Sequence, residues 1–155
     1  MYRLQRLLAA LLIALAPAAA SAEVLLTLTG AGEQRQFDRA SLEAMPAATF
    51  TTKTSWTEGP QTFTGVPLID FLGAVGVTGG TLRAAAINDY AVQIPVSDAV
   101  VDGPIIAYAR NGEPMSVRDK GPLWIVYPYD SNPDYQSEVI FSRSIWQLDR
   151  IEVLE

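Results

Sequence analysis

The sequence contains no cysteine and no histidine. Without cysteine there is no disulfide, so a core of ordinary side chains has to hold the fold. The same absence removes thiolate nucleophiles and thiolate metal ligands. Without histidine there is no imidazole general base, and the usual zinc, copper and haem sites built from Cys and His are excluded. Basic residues are also scarce, 11 Lys and Arg against 17 Asp and Glu. A net charge of −6 argues against nucleic acid and anionic membrane surfaces as partners. Long apolar runs are confined to the amino terminus.

That terminus reads as an address. Arg3 and Arg6 precede the apolar stretch Leu7–Leu15, and Ala20-Ser21-Ala22 offers small residues for cleavage. The apolar stretch is shorter than the roughly 20 residues a bilayer span needs, and Pro17 interrupts it. The expectation is a signal peptide over residues 1–22, a single domain over 23–155, and a periplasmic or secreted protein with no stable membrane anchor after cleavage.

Residues 23–155 alternate short β-rich segments with turn signals. Val24–Thr29 and Gln34–Phe37 flank Gly30-Ala31-Gly32-Glu33 as a hairpin. Asp38 is a natural N-cap for a short helix over Arg39–Ala44. Phe50, Thr52, Thr54 and Trp56 are spaced to share one face of a strand, with Thr49, Thr51, Lys53 and Ser55 on the other. Its hydroxyls suit either a half-buried strand or the lining of a polar cleft. Leu68, Phe71, Leu72 and Val75 form an apolar helical stripe, entered through Pro67 and closed by Gly76. Thr81–Ile87 and Tyr90–Ile94 form a hairpin across Asn88-Asp89, and Pro95–Val101 is a short connection. Ile105–Ala109 and Leu123–Tyr127 read as buried strands. After the first of them, Asn111-Gly112 is a strong tight-turn signal, with Arg110 and Glu113 facing across it. Pro114 cannot donate to a ladder, so the return strand should be an edge or leave the sheet at once. Ser131–Ser144 reads as irregular with a helical turn after Asp134, and Ile145–Leu154 as a closing strand. The fold class expected is α+β, one mixed, strand-rich domain.

Three pieces, in order, resemble the molybdopterin-binding domain of the sulfite oxidase family. They are Phe63-Thr64-Gly65-Val66-Pro67-Leu68-Ile69-Asp70-Phe71-Leu72, then Asn88-Asp89-Tyr90 with Ile94-Pro95-Val96, then Pro104–Pro128 with Tyr108, Asn111-Gly112-Glu113-Pro114-Met115 and Gly121-Pro122-Leu123. Trp146-Gln147-Leu148-Asp149-Arg150-Ile151-Glu152-Val153 fits the family's last strand. The resemblance implies that family's mixed fold. It also implies a molybdenum site held by a cysteine thiolate on the strand before the Trp…Gly-x-Pro-Leu motif, where this chain has Thr52 or a neighbour. The family's basic residue after the second Gly-x-Pro-Leu-type motif corresponds to Trp124, and its preceding histidine has no counterpart beside Asp119 and Lys120. Pro128–Asp134 replaces a glycine-rich basic loop.

A threonine hydroxyl is a poor metal ligand at neutral pH, and phosphate sites rely on charged donors that are missing here. The functional expectation is therefore a family fold that has lost the cofactor and serves as a ligand-binding, sensing or protein-interaction module. Its partner is a protein or small ligand left unidentified by the sequence. The alternative is a molybdopterin-dependent oxidoreductase with a non-cysteine metal environment. Candidate cleft or ligand residues are Thr52, Trp56, Tyr90, Arg110, Asn111, Arg118, Lys120 and Trp124, with no catalytic or metal residues assigned. Arg110, Arg118 and Lys120 together suit a small anion. If the cofactor is to be restored, Thr52→Cys with Trp124→Arg is the pair the resemblance suggests. Asp130-x-Asn132-x-Asp134-x-Gln136-x-Glu138 has calcium-loop spacing, but Tyr135 stands where an EF-hand wants glycine and Pro133 stiffens the run. Paired-carboxylate hydrolysis stays open, with no acidic pair singled out by context.

Overall fold

A computed structural model describes residues 21–155. The signal-peptide expectation over residues 1–22 falls almost wholly outside the described residues. The chain begins as the alternation requires: β1 (Val24–Gly30) and β2 (Glu33–Asp38) form an antiparallel hairpin. Asp38 then caps α1 (Arg39–Glu43), its carboxylate accepting from the Ser41 amide at 2.8 Å while the Ser41 hydroxyl accepts from the Asp38 amide at 2.9 Å. These bonds hold the Asp38 carboxyl below its usual pKa, the Ser41 side chain contributing most.

Next come β3 (Ala48–Lys53), β4 (Pro60–Pro67) and α2 (Leu68–Val75), the last ended by Gly76 in the left-handed region at φ 77°. A hairpin of β5 (Thr81–Ala86) and β6 (Ala91–Pro95) follows, then a helical turn over Val96–Asp98. β7 (Ile105–Arg110) turns through Asn111 (φ 52°) and Gly112 (φ 81°) into β8 (Glu113–Pro114), which has only two residues. The strand after proline leaves the sheet at once. The remaining elements are β9 (Trp124–Val126), α3 (Glu138–Arg143) and β10 (Leu148–Leu154).

The strands make two five-stranded sheets, one ordered β2-β1-β10-β5-β6 and one ordered β3-β4-β7-β8, with β9 also paired to β7. β10 is the middle strand of the first sheet, parallel to β1 and antiparallel to β5. One hydrophobic core runs through both sheets, with Leu26, Phe63, Phe71, Ile106 and Tyr127 among its fully buried members. A strand-rich single domain with few helices is what the sequence pattern predicts.

Two expectations are corrected. The strand over Phe50–Trp56 stops at Lys53, because the Thr54 hydroxyl accepts from the Trp56 amide at 3.1 Å and pairs with the Thr57 hydroxyl, turning the chain. Trp56 is therefore placed by a turn and not by strand alternation. The stretch Ser131–Ser144, read as irregular with a helical turn after Asp134, has more helix than that: α3 is started by Ser137, whose hydroxyl accepts from the Ile140 amide. The alternation itself holds within β3. Thr52 is buried, whereas Thr49 and Thr51 face solvent and pair their hydroxyls with Thr64 and Thr62 across β4. Thr49 and Thr51 serve the strand through these cross-strand bonds, and none of the strand's threonines lines the aromatic groove beside Trp56.

The tight turn supports one prediction. Gly112 has φ 81° and open space around it, so Gly112→Val is strained by backbone conformation alone. A loss of about 1–2 kcal/mol is expected, read from the urea midpoint. An unchanged midpoint contradicts the turn geometry.

Candidate functional site

Trp56 is the hub of the site region. Its ring stands edge to face with Trp146 at 5.4 Å, Phe141 at 5.8 Å, Trp124 at 6.0 Å and Tyr129 at 6.2 Å between centroids. Such inclined contacts place the positive edge of one ring on the negative face of another, and stabilise beyond area burial. The rings arrive from separate elements: Trp56 from the turn after β3, Trp124 from β9, Phe141 from α3, and Trp146 from the segment before β10. Trp124 and Trp146 are further joined by a backbone bridge.

Outside this cluster lies a groove of about 450 Å³ whose aromatic walls are Trp56, Tyr90, Phe141 and Trp146. Asn88 and Glu138 are among its polar lining. Tyr90 stands at the mouth, 59% exposed, in a turn where the Asn88 side chain accepts from the Tyr90 amide at 3.2 Å. Lys120 is positioned on Trp146, its ammonium 5.2 Å from the ring centroid.

Beneath the groove, polar atoms are closely partnered. The Trp124 indole donates to the Ser144 carbonyl at 3.2 Å. The Tyr129 phenol donates to the Ser144 hydroxyl at 2.7 Å, and that hydroxyl donates to the Ile140 carbonyl at 2.8 Å. Burial pushes the Tyr129 phenol up to about 12. Nearby, the Tyr127 phenol donates to Asp98 at 2.7 Å, and Arg143 donates to both Asp98 oxygens at 2.9 and 3.1 Å. Burial, then the hydrogen bond to Asp98, drives the Tyr127 phenol far above its usual value. Neither phenol is poised for acid–base work at neutral pH; both tie the segment that follows β9 to its neighbours.

Of the residues singled out in the sequence, the groove brings together Trp56 and Tyr90, with Trp124 behind Trp56 and Lys120 over Trp146. The others have separate surroundings. Thr52 is 1% exposed, and its hydroxyl donates to the Lys53 carbonyl at 3.3 Å and accepts from the Asp130 amide at 3.1 Å. Asp130 in turn accepts from the Lys53 amide at 2.9 Å, clamping the end of β3. Asn111 extends the β4–β7 ladder: its side chain accepts from the Thr62 amide at 2.9 Å and donates to Gln61 at 2.8 Å. Arg110 faces Glu113 in the hairpin register, and Arg118 lies exposed in the helical turn Val117–Asp119. The three cations Arg110, Arg118 and Lys120 thus occupy distinct settings, one hairpin, one exposed turn and one aromatic face.

Two of the calcium-spaced side chains are directed to backbone instead. Asp130 clamps Lys53, and the Asn132 side chain accepts from the Asp134 amide at 3.0 Å. Among the described residues no three His, Cys, Asp or Glu side chains converge to hold a metal ion.

Phe141, Glu138 and Asn88 escaped sequence reasoning as groove residues, and Trp146 stood out only as part of a closing strand motif. The available signal was aromatic content: Phe141 and Trp146 flank Ser144 in a stretch whose polar residues suggested a surface loop.

Residues 10–155 match the family described as the oxidoreductase molybdopterin binding domain. No curated protein matches the chain. Among solved structures, the sulfane dehydrogenase SoxCD from Paracoccus pantotrophus is similar at a TM-score of 0.62 and 20% identity. The match covers 83% of this chain and 37% of that one, so the chain spans well under half the length of that protein. At this identity the likeness is one of fold.

Proposed function

The chain belongs to the oxidoreductase molybdopterin-binding domain family, and from that premise we propose that it keeps the family fold, works without the molybdenum cofactor, and acts as an exported binding module. The observation that carries this reading is Thr52. At the place the resemblance gives to the metal-binding cysteine stands a side chain 1% exposed, whose hydroxyl is already bonded on both sides. A metal would have to break those bonds and remove a proton that an alcohol holds tightly.

Two further features support it. Trp124, at the family's basic position, is wholly buried among Trp56, Phe63 and Trp146, and has one indole N–H already given to Ser144. Pro128–Asp134, in place of a basic loop, carries the carboxylates of Asp130 and Asp134. The residues present do not fit an anionic pterin cofactor: charge-assisted donors give such sites their strength, and carboxylates oppose a phosphate. The Trp56–Trp146 groove, with four aromatic side chains in its lining, is a concave surface suited to a ligand. Export rests on the basic start, the short apolar core and the Ala20-Ser21-Ala22 site.

The test is metal analysis with pterin fluorescence on protein purified from an exporting host that makes the cofactor. No stoichiometric molybdenum is expected in the wild type, and none in Thr52→Cys alone, because one thiolate does not replace the missing donors. About one molybdenum per wild-type chain overturns the reading and restores the oxidoreductase.

A further inference from the structure

We propose that the groove beside Trp56 binds a small organic cation of the quaternary or methylated ammonium class. The proposal deepens the binding-module reading and rests on it by naming the ligand class of the same site. Trp56 is steeply inclined to two other wall rings, to Trp146 at 67° and to Phe141 at 83°. All three line the groove, so it meets ring surface in more than one orientation, and the exposed Tyr90 adds a fourth ring. The volume of about 450 Å³ is within the range of small-molecule sites.

Charge selects the ligand class. Glu138 is the one charged side chain among the lining residues, and the whole chain is at −6. An anion would meet ring faces and a carboxylate, both repulsive, with its one nearby attraction, Lys120 over Trp146, standing outside the lining. A cation meets the negative faces of the rings and Glu138 together. A methylated ammonium also presents an apolar skin that loses little on leaving water, where a bare ammonium gives up strong hydration. Lys120 already stands over Trp146. That contact leaves Trp56, Tyr90 and Phe141 as the principal surfaces for an incoming cation. It also supplies a built example of attraction between a ring of this cluster and an ammonium.

The probe is choline, titrated into the purified protein and followed by tryptophan fluorescence and calorimetry. Its comparison is the neutral isostere in which a quaternary carbon replaces the nitrogen. Choline is expected to bind about tenfold tighter than the isostere, because shape and apolar area are matched and only the charge differs. Glu138 is exposed and forms none of the hydrogen bonds that hold the cluster, so Glu138→Gln should fold normally. It should weaken choline several-fold and leave the isostere unchanged. Tyr90→Ala, at an exposed turn position, should weaken choline as well.

No response to choline at about 50 mM, well above the millimolar range of weak binding, overturns the proposal. Equal affinity for the isostere does so too, since the groove would then be a merely apolar one. An unaltered choline affinity in Glu138→Gln is equally fatal to it. Molybdenum measured on the same sample separates the two readings. Metal-free protein that ignores choline removes the ligand class and leaves the cofactor-free reading standing. Metal-loaded protein removes that reading whatever choline does.

Discussion

Alanine at Gly65 is expected to leave little folded protein, a loss of about 3 kcal/mol or more. A Cβ there would overlap the carbonyl oxygen of Ile106 and come within 2.6 Å of the Ala107 Cα, both backbone atoms of β7. Backbone cannot rotate aside as a side-chain tip can. Relief would require β4 and β7 to separate at the centre of the second sheet, where the pairing already shifts register between Thr64 and Gly65. Gly121→Ala should behave alike, because its Cβ would fall on the Met115 carbonyl oxygen. Gly73→Ala is the control: this helical glycine is exposed with nothing within 4 Å, so alanine should be neutral or stabilise by up to about 1 kcal/mol. Urea midpoints of the three variants check the set. A Gly65→Ala midpoint equal to wild type would show that the two strands do not approach this closely.

Trp124→Arg should be the most damaging single change, at about 4 kcal/mol or more. The sequence resemblance suggests this substitution as a way to restore a phosphate contact. The structure turns the expectation round. Trp124 is 0% exposed and packs against Phe63 at 5.2 Å, Trp56 at 6.0 Å and Trp146 at 6.2 Å. Removing such an aromatic from a core costs about 3–5 kcal/mol by itself. The arginine would add an unpaired buried charge, since neither the Ser144 carbonyl nor the surrounding rings neutralise it. Trp124→Phe separates the two contributions: it keeps most of the packing, loses the 3.2 Å indole bond, and should cost no more than about 2 kcal/mol. Far-ultraviolet circular dichroism with denaturant titration reads both. A soluble, cooperatively folding Trp124→Arg would mean that this side chain reaches solvent, and would reopen the cofactor question.

The elements legible in the sequence are those whose signals are local. Asp38 before Arg39, Gly76 after Val75 and Asn111-Gly112 after Arg110 each require a particular backbone conformation of their own residues, and the structure has it. Gly65 and Gly121 were visible as motif glycines, but the atoms they make room for belong to Ile106 and Met115, residues no local pattern connects to them. The site was legible in halves. Trp56 and Tyr90 were singled out, yet the groove also needs Phe141 and Trp146, which arrive from α3 and the segment before β10. Thr52 looked like a candidate ligand because of its place along the chain. Its burial depends on Asp130, 78 residues further on, folding back over the end of β3.

The place of β10 has a consequence for how the protein comes into being. Leu148–Leu154 fills the gap between β1 and β5, so the first sheet stays in two separate hairpins until this strand is in place. Pairings such as Thr27 with Arg150 close a loop spanning most of the domain, and contacts of that separation form late and slowly. Without β10 the first sheet is two hairpins with edges awaiting a partner, whereas every strand of the second sheet precedes it in the chain. β10 is in this sense the keystone of the first sheet: its two hairpins meet only through this strand.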